Sequence, residues 1–346
     1  MEHNAVKMVL ALEPLDRLIN ALLLEEVDRK PVVPFTQTGT LEIMAACGAY
    51  WPAAHKDPFL MAKLAIAAYD IGGFEGVRVP FGLYAESASL GCSIDYVEAG
   101  DKPPIVHPPP SISAMKKGVN PQESEPTRII IEAVKILNAK IHPQIPIIAG
   151  VQGPFTMAGN MTGVSQLLLL AIKDPGRLNE LLEVTSDFVC TFIAALVDAG
   201  ADVISLCDAL ASGEFLGPAR FEKSVFPYLR KVIQPCQAPL VLHMCHNCTP
   251  LIPLLVKTGA KSIGIDQKVE IKKAKENASP SVSIVGNINP IDILTKKPEE
   301  LREITRMVIE SGVDVVAPGC GLLAQTPTAN VLAVTKAVKE YSGDKS

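Results

Sequence analysis

Short runs of β-branched and apolar residues recur along the chain and alternate with longer stretches of helical periodicity. The runs are "PVVPF" (31–35), "GVRVP" (76–80), "IPIIAG" (145–150), "DVISLC" (202–207), "PLVLH" (239–243), "KSIGI" (261–265), "SVSIVG" (281–286) and "VDVVA" (313–317). Between them lie amphipathic segments such as "PFLMAKLAIAAYDIGG", "TRIIIEAVKILNAKI", "GRLNELLEVTSDFVCTFIAALVDAG" and "EELREITRMVIESG". The last two end in glycine just before the next run, the usual signal of a helix C-terminus. Near-continuous apolar strands alternating with helices predict a parallel sheet covered on both faces. Eight such units in one chain favour a (β/α)8 TIM barrel, an α/β fold, over an open doubly wound sheet.

The whole chain, 1–346, reads as a single barrel domain. An N-terminal helical extension of about residues 1–30 contains "EPLDRLINALLLEE", a helix that could plug the lower end of the barrel. One Pro-rich loop, "GDKPPIVHPPPSISAMKKGVNPQESEP" (100–126), is too proline-dense for the interior of a helix or sheet. It is expected as an exposed excursion, not as a domain boundary.

Composition narrows the partners. The 346 residues are 48% hydrophobic and 20% charged with a net charge of −5, and no block of Lys and Arg offers a footprint for nucleic acid. No apolar stretch reaches the roughly 18–20 uninterrupted residues of a membrane span. Acidic residues interrupt the apolar segment of "MEHNAVKMVLALEPLDRL", unlike a secretory signal. A cytoplasmic protein with no nucleic acid or membrane partner is expected. Its eight cysteines are scattered, so reduced thiols packed as small apolar groups are the default. Cys190 in "DFVCTFIAAL" and Cys207 at the end of "VISLC" fit that default.

In such a barrel the chemistry gathers at the C-terminal ends of the strands. Reading there gives Thr36 and Gln37, Arg78, Gln152, Asp208, His243 with Cys245, Asp266, Asn287 and Cys320. The densest stretch is "VLHMCHNCTP" (241–250), with two histidines and two cysteines in six positions. His243 and Cys245, two apart at a strand end, point the same way on an extended backbone. Cys320, in "APGCGLL", follows the last strand onto the same rim. Two thiolates and an imidazole with one open position make up a catalytic zinc site. Asp266 could serve as a labile fourth ligand.

Other arrangements compete. Cys245 and Cys248 spell a Cys-x-x-C redox motif, but that motif usually opens a helix in a thioredoxin domain, for which there is no sign. A set of Cys245, His246 and Cys248 would need a distant partner and leaves His243 and Cys320 unexplained. Arg78 could bind an anionic group or form a structural ion pair. Asp208 could act as a catalytic acid or base, or cap the next helix. "GVQGPFT" (150–156) suits close backbone approach to a ligand but lacks a dinucleotide or P-loop spacing.

The segments "PVVPFTQTGTLEIMAACGAYWPAAH", "VRVPF", "GPFTMA", "VLHMC", "GIDQKVEIKKAKE", "IVGNINPIDIL" and "APGCGLLAQTPTANV" together resemble the uroporphyrinogen decarboxylase superfamily, more narrowly its methylcobamide:coenzyme M methyltransferase branch. The resemblance runs over nearly the whole chain and implies a (β/α)8 barrel. Decarboxylases carry an arginine-rich "RQAGR"-type segment, where this chain has "TQTGT" (36–40). The methyltransferases instead carry His-x-Cys and a later Cys, at places matched by His243, Cys245 and Cys320. Asp266 falls where the family has an acidic residue. The family usually has Gly after His-x-Cys, whereas this chain has His246.

The resemblance implies transfer of a methyl group from the methylcobamide of a partner corrinoid protein to the thiol of coenzyme M, with Zn2+ activating that thiol. With that activity, the strand-end residues are expected to serve as follows: Asp266 and Asp208 as catalytic groups, Arg78 as the sulfonate partner, and Gln152 and Asn287 as polar lining. A decarboxylating lyase, a non-catalytic tetrapyrrole-binding member, or transfer to another thiol are the rival readings.

Overall fold

The structure is a computed structural model and describes residues 11–97 and 100–341. In chain order the strands are β1 (Val77–Val79), β2 (Ser93–Asp95), β3 (Ile105–His107), β4 (Ile147–Gln152), β5 (Val203–Cys207), β6 (Leu240–Met244), β7 (Ser262–Ile265), β8 (Ser283–Ile288) and β9 (Val315–Pro318). Seven of them form one curled, wholly parallel sheet in the order β1-β4-β5-β6-β7-β8-β9, each joined to the next through helices. Neighbours in this sheet are neighbours in sequence, the pattern of repeated βα units.

The run at 31–35 departs from expectation. It contributes one parallel bridge, Val32 to Val316, and no strand. The Val33 N–H donates to the Val316 carbonyl at 3.1 Å, and on the other side the Glu75 N–H donates to the Val32 carbonyl at 2.9 Å. Pro31 and Pro34 carry no N–H, so a longer ladder has no donors at those positions.

Period-two alternation divides the apolar runs between two cores. Ile147, Ile204, Leu242, Ile284 and Val316 face the layer under the helices. Ile148, Val203, Val241, Val285 and Val315 point to the inside of the curl, where they pack with Leu18, Ala21 and Leu22 of the helix Pro14–Leu23. That helix stops the interior from below. Its Leu22 carbonyl accepts the Ser283 hydroxyl at 3.0 Å, and Arg17 pairs with Asp28 and Glu75, both at 2.7 Å. The first ten residues of the expected extension lie outside the described residues.

The Pro-rich segment is not wholly irregular. β3 lies inside it and pairs antiparallel with β2, and the prolines at 103, 104 and 108 flank those three residues without interrupting them. Among the described residues no single helix is long and apolar enough to cross a membrane.

Candidate functional site

Cys207 and His243 are register partners at the ends of β5 and β6, so their side chains leave the sheet on the same face. Cys245 follows β6 two residues on. The ligand atoms of Cys207, His243 and Cys245 all lie within 4.8 Å of one another, and Cys245 Sγ is 3.6 Å from His243 Nε2. Cys320, delivered by the turn after β9, lies outside that tight group but near enough to Cys245 and His243 for both to act on its thiol. His243 is buried and the three cysteines are half-buried. Gly264 stands opposite His243 in β7, where a Cβ would come within 3.1 Å of the imidazole Nδ1.

The Cys245 and Cys320 thiols hold their protons tightly. The hydrogen bond from Cys207 drives the Cys245 thiol far above the ordinary range, against the opposing effect of Cys320, with burial adding to the rise. Cys245 in turn pushes Cys320 up to about 12, partly offset by His243. Each deprotonation would place a negative sulfur beside another sulfur in a low-dielectric pocket. A divalent cation among them reverses that logic, since coordinated thiols are deprotonated outright. Soft sulfur with imidazole is the donor set that zinc prefers, so these residues fit the metal implied by the sequence.

Arg78 lies on β1 near the same cluster. Gly150 leaves room for its guanidinium, which burial pulls down to about 10, the neighbouring Cys207, Glu86 and Cys320 opposing that fall. Its Nη1 donates to the Pro80 carbonyl, its Nε has no partner, and among the described residues it forms no salt bridge. It is not a structural ion pair. Glu86, which the sequence did not single out, is fully buried with one oxygen accepting the Gln152 N–H at 2.8 Å and the other unpartnered.

The remaining expected residues turn out to brace the site. The two carboxylate oxygens of Asp266 accept the backbone N–H of His246 at 3.0 Å and of Lys268 at 2.9 Å. Asn287 donates to the carbonyls of Asp266 (3.0 Å) and Val269 (2.8 Å). The Gln152 amide is held at both ends, its oxygen accepting the Ser87 hydroxyl at 2.6 Å and its nitrogen donating to the Leu83 carbonyl at 3.0 Å. Asp208 caps a helix, though not the next one. It accepts from Phe155 N–H (3.2 Å), Thr156 N–H (2.7 Å) and the Thr156 hydroxyl (2.6 Å) at the start of Pro154–Thr162, the helix of the preceding unit. Burial raises its carboxyl to about 6 despite those bonds.

His246 and Cys248 leave the cluster. His246 sits in left-handed backbone at φ 63, with its ring edge-on to Phe215 and its Nδ1 3.3 Å from Lys268. Cys248 is fully buried in the apolar layer, which pushes its thiol up to about 12. The missed member is Cys207. It ends β5 as His243 nearly ends β6, and the strand-end rule pointed one residue too far, to Asp208.

A cavity of about 590 Å3 opens beside Cys320, bounded by Gln37, Trp51, His55, Phe81 and Leu322. His55 stacks on Trp51 with ring centroids 5.2 Å apart, and both Trp51 Nε1 and His55 Nδ1 are buried without partners.

A parallel α/β sheet with its polar rim at the strand ends, a plugged lower end and a thiol–imidazole cluster defines the class. Residues 13–341 match the family described as uroporphyrinogen decarboxylase (URO-D), and the chain belongs to that family. Within it the chain is similar to the methylcobamide:CoM methyltransferase MtbA of Methanosarcina acetivorans, 38% identical over 335 residues, covering 95% of this chain and 98% of that one. It is 32% identical over 329 residues to the methylcobamide:CoM methyltransferase MtaA of Methanosarcina barkeri, covering 94% and 97%. Among solved structures, a methyltransferase from Methanosarcina mazei superposes with a TM-score of 0.91 at 33% identity, covering 95% of this chain and 99% of that one.

Proposed function

We propose that this chain is a methylcobamide:coenzyme M methyltransferase that moves a methyl group from a methylated corrinoid protein to the thiol of coenzyme M. The observation that carries the reading is the grouping of Cys207, His243 and Cys245 at the strand ends, with Cys320 alongside and lining a cavity open to a substrate. Relatives of nearly the same length bear the name of that activity.

His243, Cys245 and Cys320 hold the metal in this reading. Bound there, Zn2+ supplies the lowering of a thiol pKa that makes coenzyme M a thiolate at neutral pH. Arg78, buried and in no salt bridge among the described residues, takes the sulfonate. Asp266 and Asn287 fix the loop that carries Cys245, and Asp208 fixes the helix beside the cluster, so both acids act by positioning. In the transfer the S–CH3 bond forms as the Co–CH3 bond breaks. Cobalt keeps the bonding pair and passes from Co(III) to Co(I), and the thiol proton goes to solvent. The corrin, held by another protein, must approach the cavity beside Cys320, and the segment 31–35 closes the sheet into a single barrel between β9 and β1. Work on a soluble partner and a small thiol suits a cytoplasmic protein.

Separate incubations with methylcobalamin plus coenzyme M and with uroporphyrinogen test the reading. Thiol consumption matched to cobalamin demethylation is expected. Release of CO2 from uroporphyrinogen, with methylcobalamin unchanged, would overturn it, and equal rates with other small thiols would overturn the acceptor.

A further inference from the structure

Cys207 had no role in the strand-end reading, yet its sulfur belongs to the tightest group of ligand atoms among the described residues. Those of Cys207, His243 and Cys245 lie within 4.8 Å of one another. The pairing of Cys207 with His243 across β5 and β6 fixes this proximity in the sheet itself, where loops have least freedom. Asp266, the residue expected to complete the shell, is in a different position. Like Cys320 it is outside that group, but unlike Cys320 its ligand atoms are engaged, each oxygen already accepting a backbone N–H.

We propose that Cys207 is the fourth protein ligand of the metal centre, beside His243, Cys245 and Cys320, in the place otherwise given to Asp266. The inference rests on the metal-dependent reading of the site. A set of three sulfurs and one imidazole closes a tetrahedral site, whereas a catalytic site needs one position for its substrate. Cys207 is the ligand suited to yield. Cys245 is held between His243, at 3.6 Å, and Cys207, while Cys207 shares a sheet face with Arg78: the guanidinium packs over Gly150, which pairs with Ser205, two residues before Cys207 on β5. A sulfur released from the centre would stay on the sheet face that carries that buried guanidinium. The resting site would thus be closed by Cys207 and opened by the incoming thiol, and the same Arg78 would stand near both exchanging sulfurs.

The test uses the full chain loaded with Co2+ under reducing, oxygen-free conditions, and reads the sulfur-to-cobalt charge-transfer absorbance per bound metal. Wild type is expected to show three thiolates. Cys207→Ala and Cys207→Ser should still bind one metal with roughly two-thirds of that absorbance. Coenzyme M should then restore the missing third in both variants and leave the wild-type intensity unchanged. Cys248→Ala, a buried thiol outside the site, controls for loss of packing and should match wild type. Equal absorbance in wild type and both Cys207 variants, with metal bound, would overturn the role of Cys207 and leave the proposed function standing. A wild-type chain that binds no Co2+ or Zn2+ would overturn both.

Discussion

The Asp266 carboxylate accepts the His246 N–H at 3.0 Å, and that bond is made by a residue in left-handed backbone, φ 63. The turn directs the chain away from the cluster immediately after Cys245, so the second histidine of the stretch points to the rim, near Glu214 and Lys268. Only glycine adopts such a φ without steric cost, and an L-residue there bears about 1–2 kcal/mol. His246→Gly should therefore keep or raise the thermal stability of the metal-free protein, and His246→Val should lower it by about 1–2 kcal/mol. Calorimetry with a chelator present decides this, and equal losses in both variants would contradict the strained turn.

Asp266 also gives a prediction in the absence of metal. Asp266→Ala leaves two loop N–H groups without their acceptor and should cost about 2 kcal/mol in chelator-treated protein. A residue serving only as a metal ligand would show no cost there, so denaturant unfolding of the apo form separates the two roles.

The plug helix should matter to the fold as much as the sheet does. Leu22 is buried against the inward residues of the strands, while Leu24, just past the helix, is 37% exposed. Leu22→Ala should destabilise by about 2–5 kcal/mol and Leu24→Ala by less than about 0.5 kcal/mol, as urea midpoints would report.

Two buried groups make opposing contributions to acid stability. Burial, then Lys56, lowers His55 from 6.5 to about 4, so the unfolded chain binds a proton that the folded chain refuses. Its contribution is full above pH 6.5 and lost as pH falls toward 4, about 3 kcal/mol in all. Burial raises Asp208 from 3.8 to about 6, so the folded chain keeps a proton that the unfolded chain releases, and stability falls as pH rises through that window. The two slopes largely cancel in the wild type. His55→Gln should make stability fall between pH 4 and 6, and Asp208→Asn should make it rise. Parallel profiles for all three proteins would contradict these assignments.

Seven of the eight apolar runs became the seven strands of the main sheet, because a parallel sheet buried on both faces leaves a continuous apolar signature. The run at 31–35 carries the same signature, but its two prolines deny it a ladder, a matter of donors that hydrophobicity does not record. The three residues of β3 were hidden by the prolines around them. At the site, His243, Cys245 and Cys320 were readable because ligand chemistry and strand-end position coincide. Cys207 was masked by the apolar run it terminates, and only the register with His243 gives it meaning. Gln152 ends β4, Asn287 lies one residue from the end of β8 and Asp208 follows β5. Their hydrogen bonds to Ser87, Val269 and Thr156 reach across the sequence, and no local pattern announces such partners.

The most direct measurement follows the cobalamin spectrum during incubation of methylcobalamin and coenzyme M with zinc-loaded protein, alongside metal analysis of each variant. Demethylation should require both the metal and the thiol. His243→Ala and Cys320→Ala should lose zinc and activity together, and Cys248→Ala should retain both. Wild-type rates in a metal-free His243→Ala or Cys320→Ala protein would contradict the account.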